Sequence, residues 1–161
     1  MANAPDTLVV SGPVFQQVNA GDMLMTPTGG VQQSISASLN GSIVATYFFT
    51  GTPAATDQVF FLAPRALRVV TMSEVHSTAA GGTSTLTVIK DTGTSAPGAG
   101  TSLHQSGSFN LNATANTVQN GVVSTTTATV TLAAGDRLSV KFANAIQSTA
   151  GLVVSVGMVP A

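Results

Sequence analysis

The amino-acid sequence predicts an all-β fold: an antiparallel β-sandwich of about eight short strands, preceded by an extended N-terminal arm. From about residue 41 onwards, apolar residues recur at every second position, which is the period of a strand with one buried face. Turn-forming residues interrupt these runs at intervals of roughly 8–14 residues. Because no convincing helical period is present, the pattern favours an antiparallel sandwich.

Residues 1–40 form the predicted arm, and residues 41–161 form the predicted sandwich. Prolines and glycines recur too closely in the arm for a long element, so we expect an extended segment with one or two short strands. Burying a large apolar side chain stabilises a protein by about 1.5–3 kcal/mol, so the arm should dock on a surface. Because the arm is extended, we expect it to dock as an added strand at an exposed sheet edge. The apolar residues expected to make this contact are Leu8, Val9, Val10, Val14, Phe15, Met23, Leu24 and Met25.

Alternation assigns inward and outward positions along the strands of the sandwich. Three strands give clear patterns, and their expected inward-facing residues are Ile43, Ala45, Tyr47, Phe49, Leu138, Val140, Phe142, Leu152, Val154, Val156 and Met158. Arg137, Ser139 and Lys141 are expected to face outward. In residues 67–76 the pattern places odd-numbered residues on one face and even-numbered residues on the other.

Residues 130–142 give the strongest hairpin signal. Val130 and Leu132 lead into a Gly135-Asp136 turn, and alternating apolar residues follow it. A Gly-Asp turn between two alternating runs is typical of a β-hairpin. The sequence therefore predicts that the strands on either side of this turn pair with each other.

Charged residues make up only 7% of the chain, against roughly 25% in an average soluble domain. The net charge is −1, and near-neutral surfaces favour association, so we expect a protein that is assembled with neighbours. The five basic residues are dispersed and begin only at Arg65, which argues against nucleic-acid binding. Neither a membrane span nor a secretory signal is visible, and the absence of cysteine fits folding in a reducing cytosol.

The candidate reactive residues are few and scattered. His76 and His104 lie far apart, with no cysteine to complete a metal site. Glu74 and His76 fall on one strand face, where they could share a proton or bind a cation, but a solvent-facing pair at a strand end is the favoured interpretation. Two turn carboxylates, Asp91 and Asp136, are expected to accept backbone N–H bonds. The sequence therefore predicts no catalytic residue, no metal ligand, no cofactor and no enzyme.

The turn and strand motifs carry a resemblance to a known family. The run Thr-Leu-Ala-Ala-Gly-Asp-Arg-Leu-Ser-Val at residues 131–140 resembles the L-x-x-G-D-x-L turn of trimeric jelly-roll domains. The segments at 86–88, 93–98 and 109–111 resemble neighbouring parts of the same domains. Together, residues 43–159, about three quarters of the chain, look like the jelly-roll type of head decoration (cement) protein of tailed phages.

This resemblance implies a jelly-roll-like sandwich and a structural role. Such cement proteins sit as homotrimers on the outer surface of the capsid and clamp neighbouring major capsid protein subunits. The expected partners are thus the major capsid protein and further copies of this chain, without nucleic acid or membrane. The expected location is the outer capsid surface of the virion, after synthesis in the host cytoplasm. The alternative is a receptor-binding or fibre-tip β-module of a phage.

Overall fold

The computed structural model describes residues 42–161 apart from 52–55, 145 and 147, together with the backbone of three strands before residue 42. The chain divides into two compact units, Met1–Gly41 and Ser42–Ala161.

The described part of the first unit is a three-stranded antiparallel sheet in the order β1-β2-β3. Its strands are β1 (Val14–Asn19), β2 (Asp22–Thr26) and β3 (Gln33–Ser34). The sequence predicted one or two strands here, so the unit holds more regular pairing than expected. Of the residues expected to dock, five lie on β1 or β2 and Leu8, Val9 and Val10 lie outside the described residues. The side chains of all eight lie outside the described part, so their docking stays a prediction.

The second unit is an antiparallel β-sandwich, as the sequence predicted. One helical turn, α1 (Thr127–Val130), was not predicted. Lys90 donates from Nζ to the carbonyl oxygens of Ala128 and Thr131, which supports the end of this turn. The strands are β4 (Ile43–Phe49), β5 (Gln58–Leu62), β6 (Leu67–Val75), β7 (Thr85–Asp91), β8 (Thr101–Ser102), β9 (Phe109–Asn110), β10 (Gln119–Gly121), β11 (Thr131–Leu132), β12 (Arg137–Ala143) and β13 (Leu152–Pro160).

The strand order is that of a jelly roll. Sheet I has the order β10-β6-β13-β4, with β11 also paired to β6. Sheet II has the order β5-β12-β7-β8, with β9 also paired to β7. If β8 with β9 and β10 with β11 are each taken as one interrupted strand, the sandwich has eight strands. Sheet I then holds strands 1, 8, 3 and 6, and sheet II holds strands 2, 7, 4 and 5, which is the double Greek-key arrangement.

The core lies between the two sheets and follows the predicted alternation on most strands. All four predicted inward residues of β13 are fully buried. On β4, Ala45 and Tyr47 are buried, and Ile43 and Phe49 pack against the core as partly buried residues. Leu138 and Val140 of β12 are fully buried as well. The inward assignments of these three strands are therefore confirmed, with Phe142 packed at the margin of the core.

A β-bulge overturns the predicted faces of β6. Leu67 and Val69 are buried, but after them the buried residues are the even-numbered Met72 and Glu74. The pairing with β13 explains this: Met158 lies opposite Val69 and Gly157 opposite Thr71, which leaves Val70 without a partner. One extra residue reverses every following side chain, because successive residues in a strand point to opposite faces.

The predicted hairpin at Gly135-Asp136 is a corner between the two sheets. β11 pairs with β6 in sheet I, whereas β12 pairs with β5 and β7 in sheet II. Gly135 has a φ of +90°, and Asp136 accepts the Ala133 N–H at Oδ2 at 2.8 Å, so the predicted turn chemistry is present. Ala63 bonds to this turn through its N–H and its carbonyl. The hairpin prediction was wrong because local alternation does not specify which sheet each strand joins.

Candidate interaction surface

Glu74 and His76 form a buried pair, so the predicted solvent-facing arrangement was wrong. The bulge at Val70 turns both side chains into the sandwich, where they are 1% and 0% exposed. His76 Nδ1 lies 2.8 Å from Glu74 Oε1. Burial raises the pKa of Glu74, and the hydrogen bond and charge of His76 oppose that increase.

The remaining polar atoms of this pair are also satisfied within the protein. His76 Nε2 lies 3.0 Å from the Ala113 carbonyl oxygen, which only accepts, so Nε2 carries a proton. Gln119 Nε2 donates to Glu74 Oε2 at 2.6 Å and to the Asn110 carbonyl at 2.9 Å. Gln119 Oε1 accepts the Asn110 N–H at 3.0 Å. The cluster therefore fastens the segment around residues 110–113 to the neighbouring strands β6 and β10.

His104 is buried in a separate environment. Its Nε2 accepts the Val88 N–H at 3.3 Å, and its ring packs edge-on against Phe109 at 4.9 Å between centroids. Accepting at Nε2 makes this nitrogen unprotonated, so a neutral ring carries its proton on Nδ1. Burial lowers the pKa of His104, which favours the neutral form. The imidazole thus acts as a packed, hydrogen-bonded core group.

A second polar cluster fastens a loop over the outer face of sheet II. Ser139 Oγ donates to Asp91 Oδ2 at 2.6 Å. The Gly98 N–H lies 3.1 Å from the same oxygen and 2.9 Å from Ser139 Oγ, and the Gly100 N–H donates to Asp91 Oδ1 at 2.8 Å. Asp91 accepts backbone N–H bonds, as predicted. It is, however, the last residue of strand β7 and does not lie within a turn. Ser139 was expected in solvent, and it is buried because this loop lies against it.

Arg137 secures the first half of the same loop. Its Nη2 donates to the carbonyl oxygens of Gly93 at 3.0 Å and Ser95 at 2.8 Å. A side chain at Gly98, where φ is +76°, would meet the carboxylate of Asp57, and one at Gly100 would meet the Lys90 carbonyl. Residues 92–100, which we call the covering loop, therefore lie close against sheet II through both side-chain anchors and glycine contacts.

These clusters leave no obvious ligand set. Among the residues that the structure describes, no three or more histidine, cysteine, aspartate or glutamate side chains are grouped to hold a metal ion. The single helix found in that part of the chain has four residues, too few to cross a membrane. The polar groups singled out from the sequence are hydrogen-bonded to other parts of the same chain.

The outer face of sheet I carries an uncharged surface that crosses four strands. Pairing places its residues in three rows. One row is apolar (Val75, Val153, Phe48), one is polar (Asn120, Ser73, Ser155, Thr46), and the third is mixed (Thr71, Gly157, Val44). We call these ten residues the sheet I face. Val44 and Phe48 are 65% and 61% exposed, and Val118 and Val122 at its border are similarly exposed.

The sheet I face differs from an ordinary solvated sheet by its lack of charge. The strands of sheet I contain one exposed charged residue, Arg68, which lies on the far side of the bulge in β6. Soluble proteins usually place charged side chains on an open sheet face, whereas uncharged faces with exposed Val and Phe are typical of contact surfaces. This surface was not predicted from the sequence, although the uncharged outward positions of β4 and β13 already indicated it.

No family model, curated protein or solved structure matches this chain. The topology, the buried clusters and the sheet I face are therefore the features of the chain that bear on its function.

Proposed function

We propose that this protein is a structural component of a virion: a decoration (cement) protein that binds the outer surface of a phage head as a homotrimer and stabilises the shell. The observation that carries the proposal is the sheet I face, which offers a partner an apolar row and a hydroxyl-rich row without any charge to desolvate. Removing an unpaired charge from water is costly, so an uncharged face suits a permanent contact.

The use of the polar residues supports a role without catalysis. Glu74, His76, Asp91 and Ser139 are buried and hydrogen-bonded to groups of the same chain, and His104 is packed against Phe109. A catalytic group must reach a substrate atom. Each of these groups instead holds a loop or a ring in place. A protein that presents a rigid surface to a partner needs its loops to be fixed in this way.

The jelly-roll strand order supports the proposal through the resemblance of residues 43–159 to cement proteins. That resemblance implies a trimer around a local threefold axis of the shell and contact with the major capsid protein. Sedimentation of the isolated protein at micromolar concentration should give about three times the chain mass of 16.1 kDa. A stable monomer under these conditions would count against a preformed trimer.

Binding to heads tests the proposal most sharply with two lysine variants of equal charge. Ser155→Lys places a charge in the middle of the sheet I face, and Thr92→Lys places one on the exposed covering loop. In co-sedimentation with heads built of major capsid protein alone, wild type and Thr92→Lys should bind alike, and Ser155→Lys at least tenfold more weakly.

Two results would contradict the proposal. One is failure of the wild-type protein to bind heads. The other is labelling of intact virions by a specific antibody only at the tail tip, which would favour the receptor-binding or fibre-tip alternative. If heads are bound and Ser155→Lys binds as well as wild type, the decoration role stands and the sheet I face is not the contact.

A further inference from the structure

Three of the four edges of the sandwich carry features that discourage pairing with another chain. One edge of sheet I is made of β10 and β11, with three and two residues, and one edge of sheet II is made of β8 and β9, with two each. β5, at the other edge of sheet II, contains a bulge: Leu138 pairs with Phe61 and Ser139 with Val59, which leaves Phe60 unpaired. Short and bulged edge strands are poor templates for a further strand.

The fourth edge, β4, has none of these features. It pairs with β13 through seven residues in unbroken register, from Ile43 opposite Met158 to Phe49 opposite Leu152. It contains no proline, no glycine and no charge, and it ends the strand order of sheet I. A long, unbroken, uncharged edge presents a row of N–H and C=O groups that matches the backbone of another extended strand.

The sequence of β4 is complementary to itself when two copies run in opposite directions. Thr46 is the central residue of Ile43–Phe49, so a two-fold axis there places Thr46 opposite Thr46 of the second copy. Val44 then faces Phe48 of the second copy, and Phe48 faces its Val44. Threonine pairs and pairs of an aromatic with a β-branched residue are both favourable across antiparallel strands. On the other side of the strand the same register pairs Ile43 with Phe49 and Ala45 with Tyr47.

We propose that β4 is a docking edge for β4 of a second copy of this chain, paired antiparallel across a two-fold axis at Thr46. The contact joins two copies of sheet I into one continuous eight-stranded sheet and extends the apolar row of Val75, Val153 and Phe48 towards Val44 of the second copy. No like charges meet, because β4 is uncharged.

The proposal stands on β4 alone and does not depend on the decoration role. A two-fold contact is isologous, with the same patch used by both copies, and it cannot be the repeated contact within a trimer. Where the chain is trimeric, the β4 contact therefore links chains of neighbouring trimers.

Single cysteines test the pairing directly, because the chain has no cysteine of its own. Opposed residues in antiparallel strands have Cα atoms roughly 4.5–5.5 Å apart, which is within the range of a disulfide. Thr46→Cys should therefore give a disulfide-linked band of two chains on a non-reducing gel after mild oxidation. The matched control is Thr71→Cys, which is also exposed on the sheet I face but lies two strands from the edge. We expect its yield to be at least tenfold lower.

The register provides a second, independent readout. Val44→Cys and Phe48→Cys should each cross-link poorly alone, and a mixture of the two should cross-link at least fivefold more, because Val44 and Phe48 face each other only between copies. Above micromolar concentration, Thr46→Lys should weaken the association made through β4 at least tenfold in sedimentation equilibrium, whereas Thr71→Lys should not. Equal cross-linking of Thr46→Cys and Thr71→Cys, or no gain on mixing, would overturn the proposal.

Discussion

The two outer faces of the sandwich differ in whether a loop of the same chain covers them. On sheet II, the covering loop lies against the strands and is anchored by Asp91, Ser139 and Arg137. On sheet I, the uncharged sheet I face exposes Val44, Phe48 and a polar row that includes Thr46. The polar side chains thus hold the chain together on one side and leave the other side suited to a partner.

The difference between the faces also appears in the hydrogen bonds that the few charged side chains make. Lys90 and Arg137 donate to backbone carbonyls, and Asp57, Asp91 and Asp136 accept backbone N–H groups. Each of these bonds fixes a loop or strand end that would otherwise carry unpaired backbone groups. In the described part of the chain, charge therefore supports the loops, whereas the sheet I face consists of uncharged residues alone.

The largest effect should come from breaking the anchor on sheet II. Asp91→Ala removes the acceptor of the Gly98 and Gly100 N–H groups and the partner of Ser139. Because these groups are left without a partner in a buried place, we expect a loss of about 3 kcal/mol in the free energy of unfolding, measured by urea denaturation. Asp136→Ala removes a single exposed hydrogen bond and should cost about 1 kcal/mol. Equal losses would mean that the covering loop is not held by Asp91.

A smaller, pH-dependent effect should come from Glu74. Because its pKa is raised in the folded state, the stability that this group contributes is present below the pKa of the unfolded chain and is lost as pH rises through the folded pKa. Glu74→Gln removes this titration while keeping the shape of the side chain. The unfolding free energy of the variant relative to wild type should therefore increase from pH 4.5 to pH 7. A difference that stays constant over this range would contradict the burial effect.

His104 should act in the opposite direction. Its pKa is lowered by burial, so its contribution to stability is present above the unfolded pKa of about 6.5 and is lost as pH falls below it. His104→Gln removes the titration. The unfolding free energy of wild type relative to the variant should therefore decrease as the pH is lowered from 7 to 5. An unchanged difference would show that the ring is not desolvated.

The smallest effect on stability should come from charges on the sheet I face. Thr46 and Thr71 are exposed, so lysine at either position should change the unfolding free energy by no more than about 0.5 kcal/mol. The two faces should therefore differ in stability measurements. Substitution of the polar residues on sheet II should lower the unfolding free energy, whereas substitution on the sheet I face should affect only the binding of a partner. A loss of 2 kcal/mol at either threonine would indicate that the face is already covered within the chain.

Much of the sandwich could be predicted from sequence, because β4 and β13 alternate without interruption. The faces of β6 could not, because the bulge at Val70 lies in a run of ordinary strand residues that carries no local mark. The burial of Ser139 could not be predicted from the local pattern either, because Gly98 of the covering loop, which bonds to it, lies 41 residues earlier in the chain. The sheet I face needed the strand order, because its rows combine residues from four separate segments.

The most direct test of the central claim compares the accessibility of the two faces in isolated protein and in purified virions. Thr71→Cys reports on the sheet I face and Thr92→Cys on the covering loop, and maleimide reacts with each cysteine at a rate set by its exposure. We predict that labelling of Thr71→Cys slows at least tenfold in the virion, whereas labelling of Thr92→Cys is unchanged. Protection of Thr92→Cys with free labelling of Thr71→Cys would contradict the account, because the covered face would then be the contact.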